Sequence, residues 1–458
     1  MKAIRPYKVI TGLLAVMMTC ISCEKLIEVD LPANQIKTEE VFKDVATANA
    51  VLSGLYAGLW ENSPVAGDQS GRILGGYTDD LTYYGTTGTN GILEISGNTL
   101  IDSNPAVYAY WLAAYQKLYS ANAILEGLEN APELPLADKQ RIKGETLFIR
   151  SLLLFYLQQI YGAIPYPVST NYEVNKSLNK LSSVAVVQLL ESDLKEAISL
   201  LADQYRNAER IFVNRKTVQL LLAKVYMEQQ KWDLAEEQLK AVVESPLYQF
   251  ENDVTKVFYK AGTHILWQLK PKNNGDATKE AQTYYFINAA PSSFSLSQSL
   301  VDAFSVADLR RQNWMAVVTV GANSWYRANK YKVRSNNTTE YSIVFRLEEV
   351  YLLLAESLGR QDKVEEAVPY VNATRKRAGL STLLTTISPQ VLLDEILQEN
   401  RREFFTEMGH RFMDLKRAGQ LNTLVQSKPN WKEFHRLWPI PQKDILLNAN
   451  LKPQNTGY

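Results

Sequence analysis

The sequence predicts a mainly α-helical protein built from tetratricopeptide-like helix pairs, with long irregular loops and a few small strands. Three observations carry that expectation. Apolar residues recur at three- and four-residue spacing along most of the chain. In two places the recurrence takes the form helix, short turn, helix, with alanines where the two helices would touch. One stretch, 250–346, has no sustained helical period and mixes short alternating runs with polar loops. Glycine and proline are sparse, 22 and 17 in 458 residues, which excludes a collagen-like or broadly disordered chain.

The chain opens with a basic start, Lys2, Arg5 and Lys8, followed by the apolar run Val9 to Ile21. That run is too short to span a bilayer, which takes roughly 20 residues, and it suits the hydrophobic part of a signal peptide. Both cysteines, Cys20 and Cys23, lie at its end, so the body offers no disulfide framework. Ile21-Ser22-Cys23 is similar to a lipobox, with a small residue before the acceptor, although Cys20 stands where lipoboxes usually carry leucine. Residues 1–22 are therefore expected to be a lipoprotein signal peptide, Cys23 the lipidation site and 23–37 a lipidated tether. Acyl chains on Cys23 would supply the membrane affinity.

Cleavage before Cys23 removes three of the 49 basic residues and none of the 49 acidic ones, leaving a body of net charge 46 − 49 = −3. No basic stripe points to nucleic acid. Two cysteines and three histidines are too few for a zinc cluster, and no motif calls for a cofactor.

Helix is expected to begin near Thr38, whose hydroxyl can cap a first turn made favourable by Glu39 and Glu40. The segment 71–104 holds seven glycines and reads as a long irregular surface stretch. Tyr108 to Leu128 is helical again. Gly144 to Tyr161 is apolar on nearly every side, the mark of a helix at the centre of a bundle. Its few charges, Glu145 and Arg150, are expected to be ion-paired. Thr217 to Pro246 carries the clearest repeat: Leu222, Ala223 and Tyr226, then Ala235 and Leu239 after the turn at Lys231-Trp232. A second copy runs from Val350, Ala355 and Leu358 to Ala367 and Val371, and a weaker half surrounds Ala197. The body is expected as an N-terminal part, 38–215, and a C-terminal part, 216–458, joined in one compact unit.

Five runs carry a more specific likeness. They are G-E-T-L-F-I-R-S-L-L-L-F-Y-L from Gly144 with Y-G-A-I-P-Y-P from Tyr161, then F-R-L-E-E-V-Y-L-L-L-A-E-S from Phe345 with N-A-T-R-K-R-A-G-L from Asn372. E-N-R-R-E-F-F-T-E-M-G-H-R-F-M-D-L-K-R follows from Glu399, then W-P-I-P-Q-K-D-I from Trp438 and P-Q-N-T-G-Y from Pro453. In this order, behind a lipobox, they resemble the RagB/SusD family of outer-membrane nutrient-binding lipoproteins. Thr146, where the family tends to have alanine, and Phe404-Phe405, in place of a more polar pair, depart from its pattern. The resemblance implies a SusD-like α–α superhelix and a glycan ligand, or in some members a peptide. It also implies a SusC-like TonB-dependent transporter as partner, outer-membrane lipid held through the acylated Cys23, and exposure to the exterior. Acidic Glu24, Glu28 and Asp30 behind Cys23 resemble a surface-export signal. The tether and N-terminal helices are the transporter-facing parts by the same analogy.

The paired charges Glu399/Glu403, Glu407/Arg411 and Asp414/Arg417 are expected on one helix as a partly buried packing network. A sugar presents apolar C–H faces ringed by hydroxyls, so aromatic rings beside amides or carboxylates suit it. The expected ligand-binding residues are Tyr83, Tyr84, Asn90, Tyr284, Trp314, Trp325 and Tyr326. Among these the adjacent pairs Tyr83-Tyr84 and Trp325-Tyr326 lead, because neighbouring rings in polar loops are hard to bury together. The same scaffold binding peptides or another polymer is the alternative. A helical glycoside hydrolase using Asp79 or Asp80 would need two carboxyls about 5–9.5 Å apart across a cleft. No motif demands one, and no catalytic residue or metal is expected.

Overall fold

The computed structural model describes residues 42–86 and 88–458; Cys23, the signal peptide, the tether and Thr38 lie outside the described residues. Within them, helix α1 (Val45–Glu61) is capped by Asp44, whose carboxylate accepts from the Thr47 N–H at 3.0 Å. Then come α2 (Ser70–Tyr77), β1 (Leu81–Tyr83), α3 (Ile92–Gly97) and α4 (Pro105–Glu129). The expectation of an irregular surface stretch over 71–104 is corrected here. All but one residue of α2 is buried, and its glycines mark close approach rather than looseness. A β-carbon on Gly71 would lie 2.1 Å from the Thr406 carbonyl, and one on Gly76 would lie 2.8 Å from the Phe294 ring.

Helix α4 starts with Pro105 behind Asn104, whose Oδ1 accepts from the N–H groups of Ala106 and Val107. Helix α5 (Leu136–Tyr161) is buried continuously from Gly144 to Tyr161 and ends at Gly162, φ +76°. Glu145 is ion-paired with Arg141 and Arg206, and Arg150 with Asp193. Thr146 turns its hydroxyl back to the Ile142 carbonyl, which lets it stand in the buried part of the helix.

Helices α6 (Ser183–Leu200), α7 (Arg215–Glu228) and α8 (Trp232–Val243) follow, then β2 (Ile265–Leu269), β3 (Phe294–Leu296), β4 (Met315–Val320), β5 (Asn323–Ala328) and β6 (Ser342–Arg346). Helices α9 (Leu347–Gly359), α10 (Val364–Arg377), α11 (Pro389–Phe404) and α12 (His410–Arg417) complete the body.

Each helix from α4 onward packs on its successor, and α8 packs on α9. The two tetratricopeptide-like pairs, α7–α8 and α9–α10, are thus stacked neighbours. Their alanines, Ala223, Ala235, Ala355 and Ala367, are fully buried. Both pairs turn on a residue in the left-handed region, Gln230 (φ +57°) and Asp362 (φ +61°).

Everything from 244 to 346 is an insertion between these stacked pairs. Its base is closed by the antiparallel pairing of β2 with β6, from Ile265 opposite Arg346 to Leu269 opposite Ser342. The strands within it join β1 in a four-stranded sheet of order β1-β3-β5-β4.

The expected single helix over 399–417 is two. Between α11 and α12, Thr406, Met408 and Gly409 all have positive φ, so the chain turns sharply and Arg411 leaves the line of Glu407. The charges form a network that is fully buried rather than partly. Arg310 bonds Asp308, Glu399 and Glu403; Arg346 bonds Glu403 and Glu407; Arg377 bonds Glu348 and Glu403. Lys330 Nζ donates to Glu407 and to the carbonyls of Glu403 and Phe405. Phe404 and Phe405 serve this network. Phe404 lies 4.2 Å from the Arg346 guanidinium and Phe405 3.9 Å from Lys330 Nζ, an arrangement open to aromatic rings and closed to a polar pair.

Burial works to raise the Glu403 carboxyl, but Arg377, Arg346 and Arg310 outweigh it and hold it well below the usual carboxylate range. Arg310 lies five residues before β4 and Lys330 two residues after β5. The network therefore clamps both feet of the β4–β5 hairpin to α11.

Candidate functional site

The four-stranded sheet gathers the loops that the sequence keeps far apart. Cross-strand neighbours are Thr82 with Ser295, Tyr83 with Phe294, Leu296 with Tyr326 and Val318 with Trp325. Paired residues share a face and successive residues alternate. The pleat consequently splits each aromatic doublet. Tyr83 and Tyr326 fall on the face that carries the buried Leu81, Phe294 and Leu296, whereas Tyr84 and Trp325 fall on the opposite one with Thr82, Ser295 and Arg327.

On the first face Tyr83 is half-buried, its ring 4.9 Å from Phe294. Tyr326 is half-buried too and receives an Arg311 N–H at its hydroxyl, 3.4 Å away. On the second face, Tyr84 extends the ladder through its N–H to the Ser293 carbonyl at 2.7 Å, and Ser295 donates to its hydroxyl at 3.4 Å. Trp325 is half-exposed at the far corner. Two strand spacings across and four residues along separate the backbones of Tyr84 and Trp325 by about 16 Å, with Ser295 and Arg327 on the diagonal.

Two expected site residues are corrected by the structure. Trp314 is 1% exposed, and its indole N–H donates to the Val254 carbonyl at 2.9 Å under the sheet. Tyr284 is 4% exposed and packs in the core. Neither ring is available to a ligand. Of the doublet at 284–285, Tyr285 is the one the structure brings to the site, with the guanidiniums of Arg334 and Arg327 at 3.6 and 4.7 Å from its ring centre. Tyr285 belongs to the aromatic run of the irregular middle but not to the expected ligand-binding residues, and Arg327 is absent from both. The alternation that places Trp325 also places Arg327, but only once β5 is known to be a strand. Asn90 is exposed on the turn before α3, where its Oδ1 accepts from the Ile92 N–H; it stands apart from the strip.

Tyr285 is positioned by the short helix Lys279–Thr283, which Glu280 pins. The Ser342 hydroxyl donates to the Glu280 carboxyl at 2.7 Å, and Gly67 leaves the space into which that carboxyl fits. Burial pushes Glu280 up to about 7; Ser342 offsets this in part, and the nearby Asp68 and Glu407 add to it.

Beside β1, an open cleft of about 470 Å³ is lined by Asp79, Thr82, Tyr83, Asn98, Ser297 and Lys428 among others. The carboxylates available for hydrolytic chemistry here are already committed. Asp79 accepts from Arg411 at 2.8 and 3.0 Å, and Asp80 from Arg401 at 2.9 Å. Both are buried and tie β1 to α11 and α12. His410 is stacked on Phe404 at 4.3 Å, away from this cleft's lining. Among the described residues no cluster of His, Cys, Asp or Glu could hold a metal ion, and no helix is long and apolar enough to cross a membrane. The arrangement is that of a platform: rings for flat apolar faces, with the exposed Thr82 hydroxyl and the Arg327 guanidinium beside them for hydrogen bonds.

Comparison with known proteins agrees over nearly the whole chain. Residues 311–458 match the model of the SusD family, and residues 84–227 match a family described as starch-binding associating with outer membrane. The SusD-like protein P25 of Formosa agariphila is 23% identical over 96% of this chain and 98% of its own length. The starch-binding protein SusD of Bacteroides thetaiotaomicron is 36% identical over 125 residues, which cover 25% of this chain and 21% of that one. A SusD superfamily protein from Bacteroides vulgatus superposes with a TM-score of 0.79 at 19% identity, covering 91% of this chain and 99% of that one. Surface glycan-binding protein A of Bacteroides thetaiotaomicron, solved in complex with laminarihexaose, superposes at 0.76 with 19% identity, covering 90% and 99%. The stacked helix pairs and the inserted sheet thus give the chain the fold of the SusD superfamily structures, and residues 311–458 match the SusD family model.

Proposed function

We propose that this protein is a cell-surface lipoprotein that captures an oligo- or polysaccharide and hands it to a SusC-type TonB-dependent transporter. The observation that carries the reading is the diagonal from Tyr84 to Trp325, flanked by Thr82 and Arg327 on the same face and long enough for a short run of pyranose rings. Support comes also from the relatives: one is named a starch-binding protein and a structural neighbour is solved with laminarihexaose. Residues 1–22 act as the signal peptide, Cys23 carries the lipid, 23–37 form the tether, and 38–215 and 216–458 are the two parts of the body. The protein then sits in the outer membrane facing the exterior, and it captures rather than cleaves, since Asp79 and Asp80 are locked in ion pairs.

Calorimetry with laminarihexaose, maltoheptaose and a protein digest tests the capture role. Trp325→Ala and Tyr84→Ala are expected to weaken saccharide binding by about tenfold each, the effect of losing one ring platform. Unchanged affinity in both would remove the strip as the site, and binding of the digest alone would reassign the ligand to peptides. Cys23→Ala should release the protein from membranes under alkaline washing; continued retention would show that acylation at Cys23 is not the anchor.

A further inference from the structure

A second pocket, sharing no residue with the sheet, lies along α4. It has a volume of about 340 Å³, within the range of small-ligand sites. Trp111, Tyr115 and Tyr119 line it from successive turns of α4, about 6 Å apart along the helix axis. Tyr172 faces them from the loop wall and is 74% exposed, while Tyr119 is 57% exposed. Among the described residues these are the two most exposed large rings, and they lie together on one pocket.

The pocket is built, not incidental. Trp111 forms its floor, buried at 3% and held between Tyr115 at 4.6 Å and Tyr161 at 4.9 Å. Its walls are braced by amides donating to backbone carbonyls: Asn122 to Pro167, Asn175 to Ser169 and Asn448 to Leu178, each at 2.7 to 2.9 Å. The Tyr115 hydroxyl adds a bond to the Pro165 carbonyl at 2.8 Å. The Oδ1 of Asn175 is left without a hydrogen-bond partner among the described residues. One acid, Asp444, and one base, Lys176, share the lining, so its charge balances.

Stacked aromatic faces at the repeat of a helical turn, a spacing close to the length of one pyranose residue, together with amide and carboxylate acceptors and balanced charge, suit a neutral saccharide. An aliphatic ligand would leave the Asn175 Oδ1 unpaired, and a charged one would meet opposing charges. We infer that the α4 pocket is a second carbohydrate-binding site, which takes neutral pyranosides independently of the sheet.

Each site holds its own tryptophan, which makes the two separable. In full-length protein labelled with 5-fluorotryptophan, the Trp111 and Trp325 fluorine signals are assigned through Trp111→Phe and Trp325→Phe. Laminarihexaose and maltoheptaose are then titrated to their solubility limits. At least one of them is expected to shift the Trp111 signal, and Tyr119→Ala/Tyr172→Ala, both surface changes, should weaken that response by about tenfold while leaving the Trp325 response unchanged. A Trp111 signal that neither saccharide moves overturns the inference, whatever Trp325 does. A Trp111 shift insensitive to the double variant overturns it as well. Failure of the Trp325 response alone counts against the sheet and leaves the α4 pocket standing.

Discussion

Replacing Glu280 by glutamine should make the protein more stable at neutral and alkaline pH. Glu280 is fully buried beneath the segment that carries Tyr285; it accepts from a serine hydroxyl and feels two other acids, Asp68 and Glu407. Its carboxyl titrates at about 7 in the fold against 4.5 in an unfolded chain. Between those values the native protein holds a proton that the unfolded chain has released, so stability falls as pH rises through the window. At about 1.4 kcal/mol per pH unit the full penalty is about 3 kcal/mol, present above 7 and absent below 4.5. Glutamine keeps the shape and an acceptor for Ser342 and has no proton to lose. The gain should fall short of the full figure by whatever its amide N–H groups forfeit by burial without an acceptor, about 1–3 kcal/mol. Urea unfolding of both proteins at a series of pH values isolates the effect, because the other carboxylates titrate alike in each and cancel in the difference. The two stability curves should converge toward acid and diverge toward alkali. A difference that does not change with pH would refute the reasoning, since it would mean that Glu280 titrates in the fold as it does in the unfolded chain.

Glu403→Gln should act in the opposite direction, destabilising by about 3–5 kcal/mol in the same unfolding measurement, because three buried guanidiniums lose the charge they share. Its low folded titration point means that the stabilisation from Glu403 is present above the ordinary glutamate range and disappears as pH falls, so the variant and the parent should converge in acid. Gly71→Ala should lower stability by about 1–3 kcal/mol, as its methyl group would press on the Thr406 carbonyl; thermal unfolding reads this directly.

Much of the fold was legible because period and punctuation are local properties. The apolar run of α5 and the alanines of the two helix pairs say where helices are and which faces meet. They are silent on α8 stacking against α9, since about a hundred residues intervene and only the β2–β6 ladder brings those ends together. The glycines of 71–104 misled for a related reason. Gly71 and Gly76 are small because Thr406 and Phe294 press against them, a demand made by residues remote in sequence. At the candidate site, the doublets Tyr83-Tyr84 and Trp325-Tyr326 lie at β1 and β5, yet a doublet cannot say which ring faces outward until the register is set. For 284–285 the parity fell on Tyr285, and Trp314 went inward because its indole N–H finds a carbonyl there. The charged run at 399–417 announced a network but hid its break, as Thr406 and Met408 adopt positive φ that their residue types do not advertise, and Gly409 is a lone signal inside an otherwise helical pattern.

The clamp at the feet of the β4–β5 hairpin bears on how such a protein diversifies. Arg310 and Lys330 fix where the hairpin leaves and rejoins the body, and both do so through groups lying outside it. Between those anchors, Val317, Thr319, Val320, Asn323 and Ser324 are exposed, and β4 is the outermost strand, with no neighbour beyond it. Sequence in this stretch is consequently free to drift, lengthen or be exchanged with little penalty to folding, while its bearing on the rest of the surface is preserved. Change can be confined to one ribbon and leave the buried charges untouched.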